Sequence, residues 1–226
     1  MQSLLQNIEI KLNENLFLKD PNSSELGKRI VSFAIDLIAE IGFESFTFKK
    51  LGQLINSPEA SIYRYFESKH KLLQYITSWY LCWMEYQIVF ATANISSPEK
   101  RLEKAIHLLT QDLGKVEQNA PFNLSNLYCI LVEDSSKSYL TKSVDDENSH
   151  GIFSGYKQLV GRLSKIILEI NPQYKYPHML ISTMIEGAHY QRYFAEHLPK
   201  LTDVISGTDA VQDFYKDLIF SAIKAD

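Results

Sequence analysis

The chain has 226 residues, of which 45% are hydrophobic and 22% charged, and a formal net charge of −4. That length supports one or two domains with a core large enough to need neither disulfides nor metal. The composition excludes wholesale disorder, and the acidic balance speaks against a nucleic-acid partner unless the charge is unevenly placed.

It is unevenly placed. Residues 1–46 carry four Lys/Arg against seven Asp/Glu, residues 47–71 five against two, and residues 72–226 fourteen against eighteen, so only the middle window is basic, at +3. Cys82 and Cys129 stand in apolar runs without paired spacing, the pattern of a reducing compartment. The first residues have neither a basic n-region nor an apolar h-region, and the chain has no run of about 18 apolar residues. The expectation is a cytoplasmic chain with no membrane span.

Residues 1–20 read two ways. Ile8, Ile10 and Leu12, then Leu16 and Leu18, alternate like a strand, while Leu5, Ile8, Leu12 and Leu16 fit a helix. Asp20-Pro21-Asn22-Ser23-Ser24 breaks the chain, and Ser23 or Ser24 can cap the next helix. Leu26, Ile30, Phe33, Leu37 and Ile41 then recur at helical spacing up to Gly42. A short second helix is predicted from a Thr47 cap through Ile55, with Leu51, Leu54 and Ile55 facing the core. Asn56-Ser57-Pro58 interrupts it, since Asn tolerates the left-handed region and Pro suits a first helical turn. A third helix is predicted over roughly 58–65. A fourth starts at a Ser68 cap and carries Leu72, Ile76, Trp79, Trp83, Tyr86 and Phe90. Further helices are expected at roughly 98–118, 121–134, 150–170, 177–197 and 208–224, with a polar separator at 135–149. The fold class is all-α.

Two short helices joined by a tight turn and braced by a third present a reading helix to the DNA major groove. Ile62 and Phe66, four apart, can anchor such a helix in the core, leaving Glu59, Ala60, Ser61, Tyr63 and Arg64 pointing outward. Arg64 suits a guanine or a phosphate, and Ser61 and the tyrosines suit phosphates or thymine methyls. Lys69, His70 and Lys71 occupy the first turn of the fourth helix, where cations oppose the macrodipole by a few tenths of a kcal/mol. Either that turn faces a phosphate or its side chains are simply solvated.

The run Ala34-(x)4-Ala39-Glu40-Ile41-Gly42-Phe43-Glu44-Ser45-Phe46-Thr47, then Leu51-Gly52, then Ser61-Ile62-Tyr63-Arg64-Tyr65-Phe66-Glu67-Ser68-Lys69-His70-Lys71-Leu72-Leu73 resembles the N-terminal domain of the TetR/AcrR regulators. The likeness covers about residues 25–75. It implies phosphate contacts from Thr47, Tyr63, Tyr65 and Lys69, with Ala60, Ser61 and Arg64 approaching bases; Lys49 and Glu59 complete the candidate DNA-binding set. It also implies a homodimer on a pseudo-palindrome of double-stranded DNA, with ligand binding in the later helices weakening the DNA complex. The chain departs from the family pattern at Gly52, Asn56, Ser57, Pro58 and Glu59. Ser57 is expected to cap a helix beginning at Pro58, and Glu59 to repel phosphate unless it accepts from cytosine.

The implied organisation is an extension at 1–20, a helix-turn-helix DNA-binding domain at 21–70 and a helical effector and dimerisation domain at 71–226. Trp83, Tyr86, Phe90, Phe122, Tyr128, Phe153, Tyr156 and Tyr190 are candidate lining for an apolar or aromatic small-molecule effector, or simply core. Apolar positions along 177–197 and 208–224 suit either self-association or one molecule's own core. Glu186-Gly187-Ala188-His189 is half of a di-iron motif without a second half, so no metal and no cofactor is expected. No Gly-rich phosphate loop, nucleophile elbow or paired-cysteine spacing supports an enzyme.

Overall fold

The computed structural model describes residues 10–112 and 121–224. Ten α-helices and no strand occur among the described residues: α1 (Glu25–Ser45), α2 (Phe48–Leu54), α3 (Glu59–Tyr63), α4 (Lys69–Thr92), α5 (Pro98–Thr110), α6 (Leu124–Asp134), α7 (Val144–Ser149), α8 (Ser154–Ile170), α9 (Pro177–His197) and α10 (Ala210–Ala222). The chain divides into two compact units, Met1–Tyr80 with Leu113–Gly155 and Leu81–Asp112 with Tyr156–Asp226. The all-α expectation holds. The end of the segment expected at 98–118 lies outside the described residues.

In the first unit, Ser24 caps α1 by accepting from the Gly27 N–H, and Glu25 in the first turn complements the dipole. The buried face is Ile30, Val31, Ala34, Ile35 and Ile38. This corrects the expected stripe, for Phe33 is 36% exposed. Packing against α6 and the Pro21–Ser23 turn selects a neighbouring set of positions that fits the same period. Gly42 has φ +75°, so the helix kinks there and completes one further turn, ending at Ser45. Asn126 on α6 donates to Asp36 on α1 at 2.8 Å.

The ambiguous N-terminal segment is neither strand nor long helix where it is described. A single 3-10 turn, Glu14–Leu16, buries Leu16. The Leu18 N–H donates to the Tyr65 carbonyl at 2.8 Å, and the Asn13 and Asn15 side-chain amides donate to the His150 carbonyl at 3.0 and 3.1 Å. Residues 1–9 lie outside the described residues.

The polar stretch 135–149 is also not a plain separator. It holds a 3-10 turn, Ser135–Ser138, and the short helix α7. Periodicity could not reveal α7, because the residue it buries is Glu147.

In the second unit α10 packs on α5 and α9. A Cβ on Gly187 would meet the Tyr215 hydroxyl, so the end of the Tyr215 side chain occupies the space beside Gly187 where α9 and α10 pack. Arg192 holds the end of α5 to the start of α10, donating to the Thr110 carbonyl and to both oxygens of Asp209 at 2.7 Å. His189 is 5% exposed. Burial pushes its imidazole below the ordinary 6.5, against a weaker upward pull from Glu186. The unfolded chain then takes up a proton that the folded chain refuses, so stability falls as pH drops through about 6.5. Between about pH 7.5 and pH 5.5 the melting temperature should fall, and His189→Gln should flatten the slope. An identical slope in the variant would remove His189 as its source.

Candidate nucleic-acid interface

Helices α2 and α3 are built around a turn that needs unusual backbone. Thr47 caps α2 by accepting from the Lys50 N–H. The Ser57 N–H donates back to the Gly52 carbonyl at 2.8 Å, and Asn56 takes φ +50°, the left-handed conformation expected of it. A Cβ on Gly52 would lie 2.7 Å from the Ser57 carbonyl oxygen. Gly52 is therefore what the tight turn requires, despite its poor helix propensity. Arg29 from α1 donates to the Ile55 carbonyl at 2.6 Å and satisfies the end of α2. Pro58 occupies the N-cap position of α3 with no side-chain cap bond, which corrects the expected Ser57 cap and Pro58 start. A pyrrolidine has no N–H and fixes φ near −65°, and here φ is −57°.

Leu51 and Ile55 on the α2 side, Ile62 in α3 and Phe66 after it are each at most 1% exposed and form the floor of this motif. Leu54 is 50% exposed, contrary to the expectation of a core residue. Seven residues make only two turns, and its position falls on the outer side of α2. Thr47, Lys49, Ala60, Tyr63 and Arg64 are exposed, while Glu59 and Ser61 are half-buried. Tyr63 packs edge-on against Phe48, ring centroids 4.9 Å apart.

Tyr65 and Lys69 are turned inward. Tyr65 is 4% exposed and exchanges a 2.7 Å hydrogen bond with the Ser24 hydroxyl. The Lys69 ammonium donates to the carbonyls of Phe43, Glu44 and Phe46 at 3.0, 3.1 and 3.3 Å and lies 4.7 Å from the Phe43 ring centroid. An ammonium has three donors, and all three finish the end of α1. His70 Nε2 and Lys71 Nζ lie 3.2 and 3.6 Å from Glu147 Oε1, on a side chain only 7% exposed. The three cations at the start of α4 thus have internal partners, and neither a phosphate nor open solvent is needed to account for them. Ser68 caps α4 as expected, accepting from the Lys71 N–H at 3.2 Å.

Lys69→Met keeps the aliphatic stem and removes the donors, taking the ammonium from the Glu44 and Phe46 carbonyls and leaving the Phe43 carbonyl with the Phe46 N–H alone. Loss of about 1–3 kcal/mol is expected, read as a lower urea midpoint with an unchanged m-value. An unchanged midpoint would mean that water replaces the ammonium without cost.

Long-range partners are what residue spacing could not show. Glu147, 77 residues from His70, and Arg29, 26 residues from Ile55, have no local signature. The candidate effector residues divide between the units. Phe122, Tyr128 and Phe153 fall in the first, with Phe122 packed edge-on against Trp79 at 4.9 Å. Trp83, Tyr86, Phe90, Tyr156 and Tyr190 fall in the second, where Trp83 is buried and the Tyr156 hydroxyl donates to Glu186 at 2.6 Å. Tyr86, Phe90 and Tyr190 are 40%, 55% and 46% exposed, so they lie at the surface of the chain. Among the described residues no group of three or more His, Cys, Asp or Glu side chains could hold a metal, and no helix is long and apolar enough to cross a membrane.

Residues 30–76 match the family model for bacterial regulatory proteins of the tetR family. That segment holds α2, the turn and α3, with most of α1 and the start of α4. No curated protein matches the chain. Among solved structures, AibR in complex with isovaleryl coenzyme A and operator DNA is similar at 15% identity and TM-score 0.56, covering 86% of this chain and 97% of that one. A putative transcriptional regulator from Saccharomonospora viridis in complex with choline is similar at 16% identity and TM-score 0.59, covering 88% and 96%. Superantigen PfiT is similar at 16% identity and TM-score 0.59, covering 92% and 100%. At these identities the likenesses establish the fold alone. The family match thus extends over the N-terminal segment that carries α2, the turn and α3, and the solved structures give the all-helical fold of the chain around it.

Proposed function

We propose that the chain is a ligand-responsive transcription repressor that binds a pseudo-palindromic operator as a homodimer in the cytoplasm. The observation that carries this reading is the geometry of α3. Ile62 and Phe66 pin it to the floor, and Ala60, Tyr63 and Arg64 are left exposed beside Lys49 and Thr47. A short helix held by one buried face, with small, aromatic and guanidinium groups outward, fits a major groove. Arg64 reads guanine, Ala60 and Ser61 approach base edges, and Thr47, Lys49 and Tyr63 hold phosphates. Tyr65 and Lys69 position the reading helix from within, and any phosphate contact by them requires their internal bonds to rearrange. Glu59, at the start of α3, selects cytosine by accepting from its amino group and disfavours other bases.

The dimer forms through α9 and α10. Both helices use one face inside their own unit, with Ile181, Met184, Ile185, Val211, Tyr215 and Ile219 buried. Apolar surface is left over at Met179, Tyr190, Phe214 and Leu218, which are 67%, 46%, 54% and 39% exposed. Apolar area of this kind is what a two-fold interface would cover. The effector is a small apolar or aromatic molecule taken by the later helices. AibR and the Saccharomonospora viridis protein were each solved with a small molecule bound, which supports the same use of this fold here.

A second reading is a degenerate TetR-like ligand-binding or protein-interaction module with weak or no specific DNA binding. One observation favours it: the basic turn at Lys69, His70 and Lys71 is engaged inside the protein. Selection of bound sequences from a random duplex pool, at low and then moderate salt, separates the two. Enrichment of a two-fold symmetric sequence supports the repressor. Retention without enrichment, or none at low salt where phosphate contacts are strongest, supports the module.

A further inference from the structure

The segment before α1 lies against the reading motif and carries an exposed cation beside it. The Leu18 N–H is bonded to the Tyr65 carbonyl at 2.8 Å, and Phe17 packs edge-on against Tyr75 with centroids 6.1 Å apart. These contacts place Lys19 with its ammonium 5.1 Å from the centroid of the Tyr65 ring. Tyr65 directly follows Arg64, an exposed cation of the reading motif.

Most other cations nearby are held by internal partners. Lys69 caps α1, His70 and Lys71 face Glu147, Lys28 pairs with Glu25 at 2.9 Å, and Lys50 donates to the Ser45 carbonyl at 2.8 Å. Lys19 is exposed, and among the described residues no carboxylate lies within ion-pair reach of its ammonium. The Ser24 hydrogen bond, and after it the Lys19 and Arg64 charges, pull the Tyr65 phenol below its ordinary value. Both charges therefore bear on the same ring.

We propose that the segment preceding α1 is part of the DNA-binding surface, with Lys19 supplying a phosphate contact beside Arg64. This rests on the DNA-binding reading above and adds a residue outside the helix-turn-helix to it. Tyr65, buried on Ser24, acts as the platform: its carbonyl fixes Leu18 and its ring carries the lysine. An exposed ammonium on such a platform is preorganised, so little side-chain freedom is lost when a phosphate meets it. The contact carries no sequence information and acts on affinity and its salt dependence.

The test measures the dependence of duplex affinity on salt for the intact protein and for Lys19→Met, Lys19→Arg and Lys11→Met, using the selected symmetric duplex. Lys19→Met keeps the stem on Tyr65 and removes the charge. Each phosphate contact contributes about 0.9 to the log–log slope, so a dimer that loses two should bind with a slope shallower by about 1.8. Lys19→Arg should restore the slope, and Lys11→Met, an exposed lysine in the same segment, should leave it unchanged. Thermal melting of each variant reports whether the fold persists. A Lys19→Met slope equal to that of the parent, with sequence discrimination intact, overturns the assignment while leaving the DNA-binding reading standing. No duplex binding by the parent protein overturns both.

Discussion

Gly52→Ala should destabilise the protein by about 2 kcal/mol and weaken DNA binding, although alanine is the better helix former. On propensity alone the change should stabilise α2 by about 1 kcal/mol. The added methyl would sit 2.7 Å from the Ser57 carbonyl oxygen and 3.4 Å from the Glu59 nitrogen. Both atoms are backbone, so neither can turn aside as a side-chain end would. Relief requires α2 and α3 to separate, which lengthens the Ser57 N–H bond to the Gly52 carbonyl, 2.8 Å in this fold, and tilts the reading helix. Urea unfolding measures the first effect, and titration against the selected duplex the second. A Gly52→Ala protein more stable than its parent would show that the turn relaxes freely and that the close approach carries no energy.

Ile62→Ala is expected to cost about 2–5 kcal/mol, the range for deleting a fully buried aliphatic side chain. Ile62 is 0% exposed and is the buried residue of a helix only five residues long. A helix that short has no stability of its own, so its order comes from what it packs against. DNA affinity should therefore fall even at temperatures where the rest of the protein stays folded. Leu54→Ala is the matched comparison. At 50% exposure it should change stability by no more than about 0.5 kcal/mol. Equal losses at the two positions would mean that the floor of the motif extends under Leu54 and that α2 is misplaced.

The helical architecture could be read from the chain because its signals are local. Thr47 and Ser68 cap the helices that begin after them, Asn56 takes the left-handed turn, and Ile62 and Phe66 are buried at their spacing of four. The errors are local ambiguities that packing resolves. Leu26, Phe33 and Leu37 share a period with Ile30, Ala34 and Ile38, and packing against α6 and the Pro21–Ser23 turn decides which set is inside. Gly52 reads as a weak helix former because its reason lies five residues away, across the turn.

The interface itself was legible only on its outer side. The exposure of Lys49, Ala60, Tyr63 and Arg64 agrees with where the apolar residues fall. The inward engagement of Lys69, His70 and Lys71 has no such signal, because their partners are carbonyls 23 to 26 residues away and a glutamate 76 to 77 residues away. Charge counted along a sequence takes no account of such partners. The basic window of residues 47–71 therefore overstates the charge that a phosphate backbone would meet.

The most direct test of the central claim compares Arg64→Ala with the parent protein on the selected duplex and on a scrambled duplex of equal length. A guanine-reading contact is worth about 1–3 kcal/mol of discrimination, so the variant should lose roughly tenfold or more on the selected duplex and far less on the scrambled one. Equal losses on both, or none on either, would contradict sequence reading by α3.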